Sequence, residues 1–183
     1  MILISPERES SVELRSRTTP YNRERAGKLL RLMPGFFVPA EAELSSENVM
    51  QWLTMRQPKV VMNLISALQH HKITLQIPDA LSVAVPRSTH VPTPAGIPLQ
   101  VWYTEPRFLQ EGIIECFGAF GPYRVTSVER TLVDCFKYRN KLGLSVFLEA
   151  LRMAAPRLKM WELQHHALTL RQYKQILPYL KSL

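Results

Sequence analysis

Apolar positions change their rhythm along this chain, from a polar, interrupted start to an alternating middle and a helical-period end. Ser5-Pro6-Glu7 offers a capping serine with proline at the first helical position, which predicts a short helix through Leu14. A turn at Ser16 to Thr19 follows, and Pro20 opens a second polar helix, Tyr21 to Ala26, ending at Gly27. Lys28 to Val38 then holds two apolar runs split by Pro34-Gly35, a turn signal that predicts a hairpin. Pro39 to Ser45 reads as a linker. Ser45 or Ser46 caps a helix through Met55, and Pro58 ends it. Val60 to Met62 is a short apolar run, and Leu64, Ala67 and Leu68 continue at helical spacing. Ile73-Leu75-Ile77, Leu81-Val83-Val85 and Ile97-Leu99-Val101-Tyr103 alternate with period two, as half-buried strands do. Pro and Thr fill an exposed loop over 86–98, while Ile113-Ile114 and Tyr123 to Val125 add short strands.

From residue 126 onward the pattern is helical. Thr126-x-x-Glu129 reads as a capping box, in which the threonine hydroxyl accepts from the Glu129 N–H and the glutamate reaches back. Val128, Leu132, Cys135 and Phe136 fall on one face of the helix it starts. Lys137, Arg139 and Lys141 sit near the carbonyl end, where positive charge complements the dipole. Gly143 supplies a left-handed stop, and Ser145 caps a second helix carrying Val146, Ala150 and Leu151. Thr169-x-x-Gln172 is another capping box, and Pro178 is expected to kink or restart the last helix.

Strands clustered between helical ends predict an α+β chain rather than alternating βαβ units. Helix, turn, helix, hairpin is the order of a winged helix-turn-helix, so a short, partial module of that kind is expected over 1–42. An α+β domain with a small mixed or antiparallel sheet and a C-terminal run of helices is expected over 43–183. The first segment is poor in apolar residues, so its removal is expected to cost the main core little.

Composition narrows the class. The 183 residues suffice for one domain, or one domain plus a small appended module, and need no disulfide or metal to fold. Met-Ile-Leu-Ile meets Glu7 too soon for a signal-peptide core, and no apolar run reaches the length of a membrane span. Cys116 and Cys135 form no C-x-x-C pair and read as inert buried thiols. A cytoplasmic chain without a membrane partner is expected. The formal charge of +8 is uneven: residues 1–35 hold seven bases against four acids, and 157–183 hold five bases against Glu162. Basic ends suggest a polyanion partner.

No pattern carries catalysis. Adjacent histidines on a helix point about 100° apart, so neither His70-His71 nor His165-His166 chelates a metal by itself. Ser66 lacks a nucleophile elbow, and no phosphate-cradling glycine loop occurs. Asp134 and Glu129 suggest a carboxylate pair, but Arg130 and Lys137 lie within helical reach of Asp134 and favour a surface or inter-element ion-pair network. Neither an enzyme, a metal nor a cofactor is expected. The run Arg15, Arg17, Thr18, Thr19, Tyr21, Asn22, Arg23, Arg25 and Lys28, with Arg31 beyond it, is of another kind. Arg for guanine or phosphate, Asn for adenine, and Thr or Tyr for phosphate oxygens are the side chains DNA readout uses.

Val125 to Arg152, VTSVERTLVDCFKYRNKLGLSVFLEALR, resembles the C-terminal region of AbiEi-family antitoxins, the antitoxin half of type IV abortive-infection systems. That family carries a run of the form S-P-x-(K/R)-T-x-x-D-C-F-(K/R)-(Y/F)-R-N-K-(I/L)-G-L-D-V-x-L-E-A-L-R. Its middle motif is matched by Ser66, Ala67, Leu68, His71, Thr74, Gln76, Pro78, Pro86 and Arg87, with Lys72 in place of a glycine. Its wing pattern is met by Gly27, Leu29 or Leu30, Arg31, Leu32, Gly35 and Phe36 or Phe37, and its ending by Pro178-Tyr179-Leu180. Ser145 stands where an aspartate is frequent. The resemblance covers about residues 26–183. It implies an antitoxin in phage defence that also represses transcription at its own operon promoter. It implies as partners that promoter DNA and a cognate nucleotidyltransferase-like toxin, neutralised without a stable complex. Arg130, Asp134, Lys137 and Arg139 lie in the most specific motif and are the candidate antitoxin residues. The rival expectation is an interaction module that does not bind DNA and acts through protein or RNA contacts of the α+β domain. No motif encodes the oligomeric state.

Overall fold

The computed structural model describes residues 19–33, 36–41, 44–118 and 120–181, which form eight α-helices and two sheets. Helix α1 (Thr19–Arg25) runs into an antiparallel hairpin of β1 (Leu29–Met33) and β2 (Phe36–Pro39). Gly27, at φ +70°, makes that passage possible. Its N–H reaches the Glu24 carbonyl at 2.9 Å and Lys28 N–H reaches that of Arg23 at 2.9 Å, the paired bonds of a Schellman ending. The helix expected over 5–14 and the Pro34-Gly35 turn lie outside the described residues.

The hairpin is seated on the rest of the chain. Leu32 and Val38 are 1% and 3% exposed and pack with Val49, Met50, Trp52 and Leu53 of α2 (Ser46–Arg56). The Leu32 carbonyl accepts from Ala95 N–H at 2.6 Å, which ties β1 to the loop over 86–98. The N-terminal segment therefore shares the core that its polar composition suggested it would leave alone.

The larger sheet is built from β3 (Val61–Met62), β4 (Leu81–Pro86), β5 (Leu99–Thr104), β6 (Ile113–Gly118) and β7 (Gly121–Thr126). Its order is β5-β4-β3-β7-β6. β4 runs parallel to β5 and β3 parallel to β7, while β3–β4 and β6–β7 are antiparallel, so the sheet is mixed. Met62, Val83, Val85, Tyr123 and Val125 meet α2 and the hairpin on one face. Val61 and Ala84 meet Leu109 and Ile113 on the other. β4 is buried along its whole length, which exceeds the half-burial its alternation predicts.

A second core gathers the helices α3 (Leu64–His70), α4 (Val128–Lys137), α5 (Arg139–Leu142), α6 (Leu144–Ala154), α7 (Met160–Thr169) and α8 (Tyr173–Leu180). Helix α4 is its axis, with every residue from Glu129 to Phe136 buried rather than one stripe. Phe136 stacks edge-on with Phe147 at 5.0 Å and with Tyr179 at 5.5 Å. Each large apolar side chain so buried contributes about 1.5–3 kcal/mol.

Four local expectations are corrected. The cap of α4 is Ser127, whose hydroxyl accepts from Arg130 N–H at 3.2 Å. Thr126 ends β7 with its hydroxyl bonded to that of Thr131 at 2.7 Å, and Glu129 accepts from Lys159 N–H at 3.1 Å, so neither is free to form the box. Ile73 to Ile77 is no strand, because Glu149 captures both the Leu75 N–H and the Thr74 hydroxyl at 2.8 Å. Leu75 and Ile77 are left 81% and 85% exposed. Gly143, not Ser145, occupies the cap position of α6. Thr169 belongs to α7, Arg171 turns the chain at φ +58°, and α8 continues through Pro178 from Gln172 without a side-chain cap. Among the described residues, no helix is long and apolar enough to cross a membrane.

Candidate functional site

The basic N-terminal run is only partly within the described residues: Arg15, Arg17 and Thr18 lie outside them, and Thr19 opens α1. Tyr21 does not stand free. Its ring meets Phe37 of β2 edge-on at 5.2 Å, and the Arg31 guanidinium of β1 lies 5.6 Å from its centroid. This aromatic and cation–π pairing docks α1 on the hairpin. Asn22, Arg25 and Lys28 are exposed beside it, and Arg23 is half-buried.

Arg130 and Asp134 are brought together, but inside the protein. Arg130 Nε donates to Asp134 Oδ2 at 3.0 Å, with the side chains 4% and 9% exposed. Arg130 also donates to the Glu111 carbonyl at 3.1 Å, which holds the loop before β6 against α4. Burial pushes the Asp134 carboxyl up and the guanidinium opposes that push. The pair is thus a buried strut and not a helix-surface network. Arg139 donates to the Phe136 carbonyl and to Gln175 Oε1, each at 2.8 Å, and closes α4 against α8. Lys137 lies 5.6 Å from the Phe108 ring and 5.4 Å from that of Tyr138.

One concave feature was not legible in the sequence. A cavity of about 600 Å³ opens between the loop at Glu111-Gly112, the start of α4 and the segment from Arg157 through α7. His71 enters it from the end of α3, where its Nε2 lies 2.6 Å from the Thr126 carbonyl. A carbonyl only accepts, so Nε2 carries the hydrogen. Burial holds the His71 and His166 imidazoles below their ordinary range, which favours their neutral forms. Arg157 donates to the His71 carbonyl, and Lys159 Nζ pairs with Glu162 at 3.0 Å.

At one end of the cavity His165 Nε2 lies 3.3 Å from Glu111 Oε2. One ligand atom from each of Glu111, His165 and His166 falls within 4.8 Å of the others. Gly112 makes this possible. At φ +63° its α-carbon sits so close that a β-carbon would lie 2.8 Å from His166 Cε1 and from Arg130 Cβ. Sequence spacing gives no signal for this set, since Glu111 lies on a loop far from α7 in the chain. The thiols take no part. Cys135 is buried as expected but Cys116 is only half-buried, and desolvation raises both, which leaves them weak nucleophiles.

No family model matches this chain, and no curated protein matches it.

Proposed function

We propose that this chain is an AbiEi-type antitoxin that also represses its own operon by binding promoter DNA. The observation that carries the reading is the docking of α1 on the hairpin through Tyr21, Phe37 and Arg31. A short polar helix followed at once by a two-stranded wing leaves Asn22, Arg25 and Lys28 exposed together. Arginine and asparagine suit guanine and adenine edges, and lysine suits phosphate. The resemblance of Val125 to Arg152 to the antitoxin motif supports the other half of the reading. Because Arg130 and Asp134 are buried, that motif shapes the domain rather than offering those two side chains to a toxin.

The test couples two measurements on the full chain. Gel-shift titration with the DNA upstream of its own operon should show saturable binding that an unrelated duplex of equal length does not match. Co-expression with the nucleotidyltransferase-like product of the adjoining reading frame should restore growth. Failure of both removes the proposal. The rival, a module acting through protein or RNA contacts, is favoured by the exposed Leu75 and Ile77. It is selected if RNA or a protein binds while both measurements fail.

A further inference from the structure

We infer that Glu111, His165 and His166 form a binding site for one divalent transition-metal ion of the zinc class, set in the wall of the 600 Å³ cavity. The inference stands apart from the antitoxin reading and does not need it.

Distance is the first argument. Ligands at about 2.0–2.1 Å around a tetrahedral zinc stand roughly 3.3 Å from one another. His165 Nε2 and Glu111 Oε2 are already 3.3 Å apart. The remaining ligand atom, on buried His166, lies no more than 4.8 Å away, and the exposed Glu111 and His165 side chains are the ones free to close on it. Adjacent histidines do diverge, with ring planes at 66° and centroids 5.5 Å apart. Glu111 comes from another element and fills the gap between them.

Preorganisation is the second argument. His166 is only 7% exposed, and its Nδ1 is buried with no hydrogen-bond partner among the described residues. A buried ring nitrogen without a partner is costly, and an ion ligated at Nδ1 would remove that cost. Gly112 leaves room for the ring: a β-carbon there would lie 2.8 Å from its Cε1 and Nε2. The loop bearing Glu111 is pinned by Arg130 to its carbonyl at 3.1 Å and by Ser127 N–H to the Gly112 carbonyl at 2.8 Å. The positive charge of Arg130 beneath the site is matched by Asp134 at 3.0 Å.

Charge and ligand type choose the occupant. Glu111, Glu129 and Glu162 outnumber Arg157 and Lys159 around the cavity. Lys159 is already paired to Glu162, so an anion finds little free positive charge. Two imidazoles and a carboxylate suit zinc, cobalt, nickel or copper, whereas calcium and magnesium prefer oxygen alone. Three protein ligands leave a coordination position open to the cavity, as in zinc sites that bind water or a small oxyanion.

The experiment uses the full chain without any added histidine tag, stripped of metal by chelator. It is titrated with Co²⁺ by visible absorption and with Zn²⁺ by calorimetry. One ion per chain, intense low-symmetry d–d bands, and displacement of cobalt by zinc are expected. Glu111→Gln and His165→Ala alter exposed side chains and should each weaken binding by about tenfold or more. His90→Ala should leave it unchanged. A second readout is the imidazole NMR signals, of which those of His165 and His166 should be the first to respond to Zn²⁺. Absence of saturable binding overturns the inference. So does undiminished affinity in both Glu111→Gln and His165→Ala, or a first response at His70, His71 or His90.

Discussion

Arg130 Nε donates to Asp134 Oδ2 at 3.0 Å, one helical turn along α4, with both side chains less than a tenth exposed. An ion pair taken this far from water is worth little as a pair, yet each member depends on the other. Asp134→Ala strands a buried guanidinium and should destabilise the fold by about 3–5 kcal/mol. Replacing both, as Arg130→Met with Asp134→Leu, should recover most of that loss. Urea unfolding of the three chains decides it. A single substitution costing under about 1 kcal/mol would show that water reaches the pair.

The same two residues show how far the sequence reaches. Their spacing announces an ion pair, and the polar periodicity of the middle and end announces an α+β chain with helices after residue 126. What periodicity cannot announce is that α4 is surrounded on all sides, because that depends on α3, α6 and α7 arriving from elsewhere. Ile73, Leu75 and Ile77 alternate like a strand, but the Leu75 N–H is taken by Glu149, far along the chain. The cap at Ser127 is missed by one residue because Thr126 is claimed by the sheet and Thr131. The metal-ligand set is illegible for the same reason. His165-His166 is visible as a pair, but Glu111 joins it only through the fold.

His71 gives the chain a pH dependence with a definite sign. Burial, with the charges of His70 and Arg157, depresses its folded-state affinity for protons; the Thr126 carbonyl and Glu129 oppose this. The unfolded chain, near the ordinary value of 6.5, therefore binds the proton more readily. The stability this group contributes is fully present above 6.5 and is lost as pH falls through that value toward the folded one. Denaturation midpoints measured across this window should fall with acidification, and the fall should be shallower in His71→Gln, which keeps a donor for the Thr126 carbonyl.

Gly112 joins the stability of α4 to the shape of the cavity. Gly112→Ala meets two penalties: a positive φ, and a β-carbon at 2.8 Å from Arg130 Cβ and from His166. Neither neighbour is the free end of a flexible chain. A loss of about 1–3 kcal/mol is expected, together with a displaced His166 ring. Thermal unfolding and the imidazole NMR spectrum read the two effects on one sample. An unchanged His166 signal would show that the loop, not the ring, gives way.

Promoter binding should carry the salt signature of phosphate contacts. Neutralising about four to six phosphates gives a log–log slope of roughly −4 to −5. Arg23→Ala with Arg25→Ala removes two cations and should flatten the slope by about two while weakening affinity. Fluorescence anisotropy across a salt series measures both. Full affinity retained by the double variant would exclude α1 as the contact surface.

The hairpin decides how the two proposed activities can be separated. Leu32 and Val38 are buried against Val49, Met50, Trp52 and Leu53, and Ala95 bonds to the Leu32 carbonyl. Leu32→Ala alone should cost about 2–5 kcal/mol, the loss of a large side chain from a packed core. A chain beginning near Glu43 loses Leu32, Phe37 and Val38 together and uncovers α2, so it should unfold at lower denaturant and tend to associate. Loss of promoter binding in that chain says nothing about DNA contacts unless its folding is checked by circular dichroism. The full-length Arg23→Ala, Arg25→Ala chain is the cleaner separator, since it leaves Leu32 and Val38 in place. It should still rescue growth against the toxin while failing to hold the promoter. If it fails at both although folded, neutralisation runs through the N-terminal basic face, and the α+β domain serves as its platform.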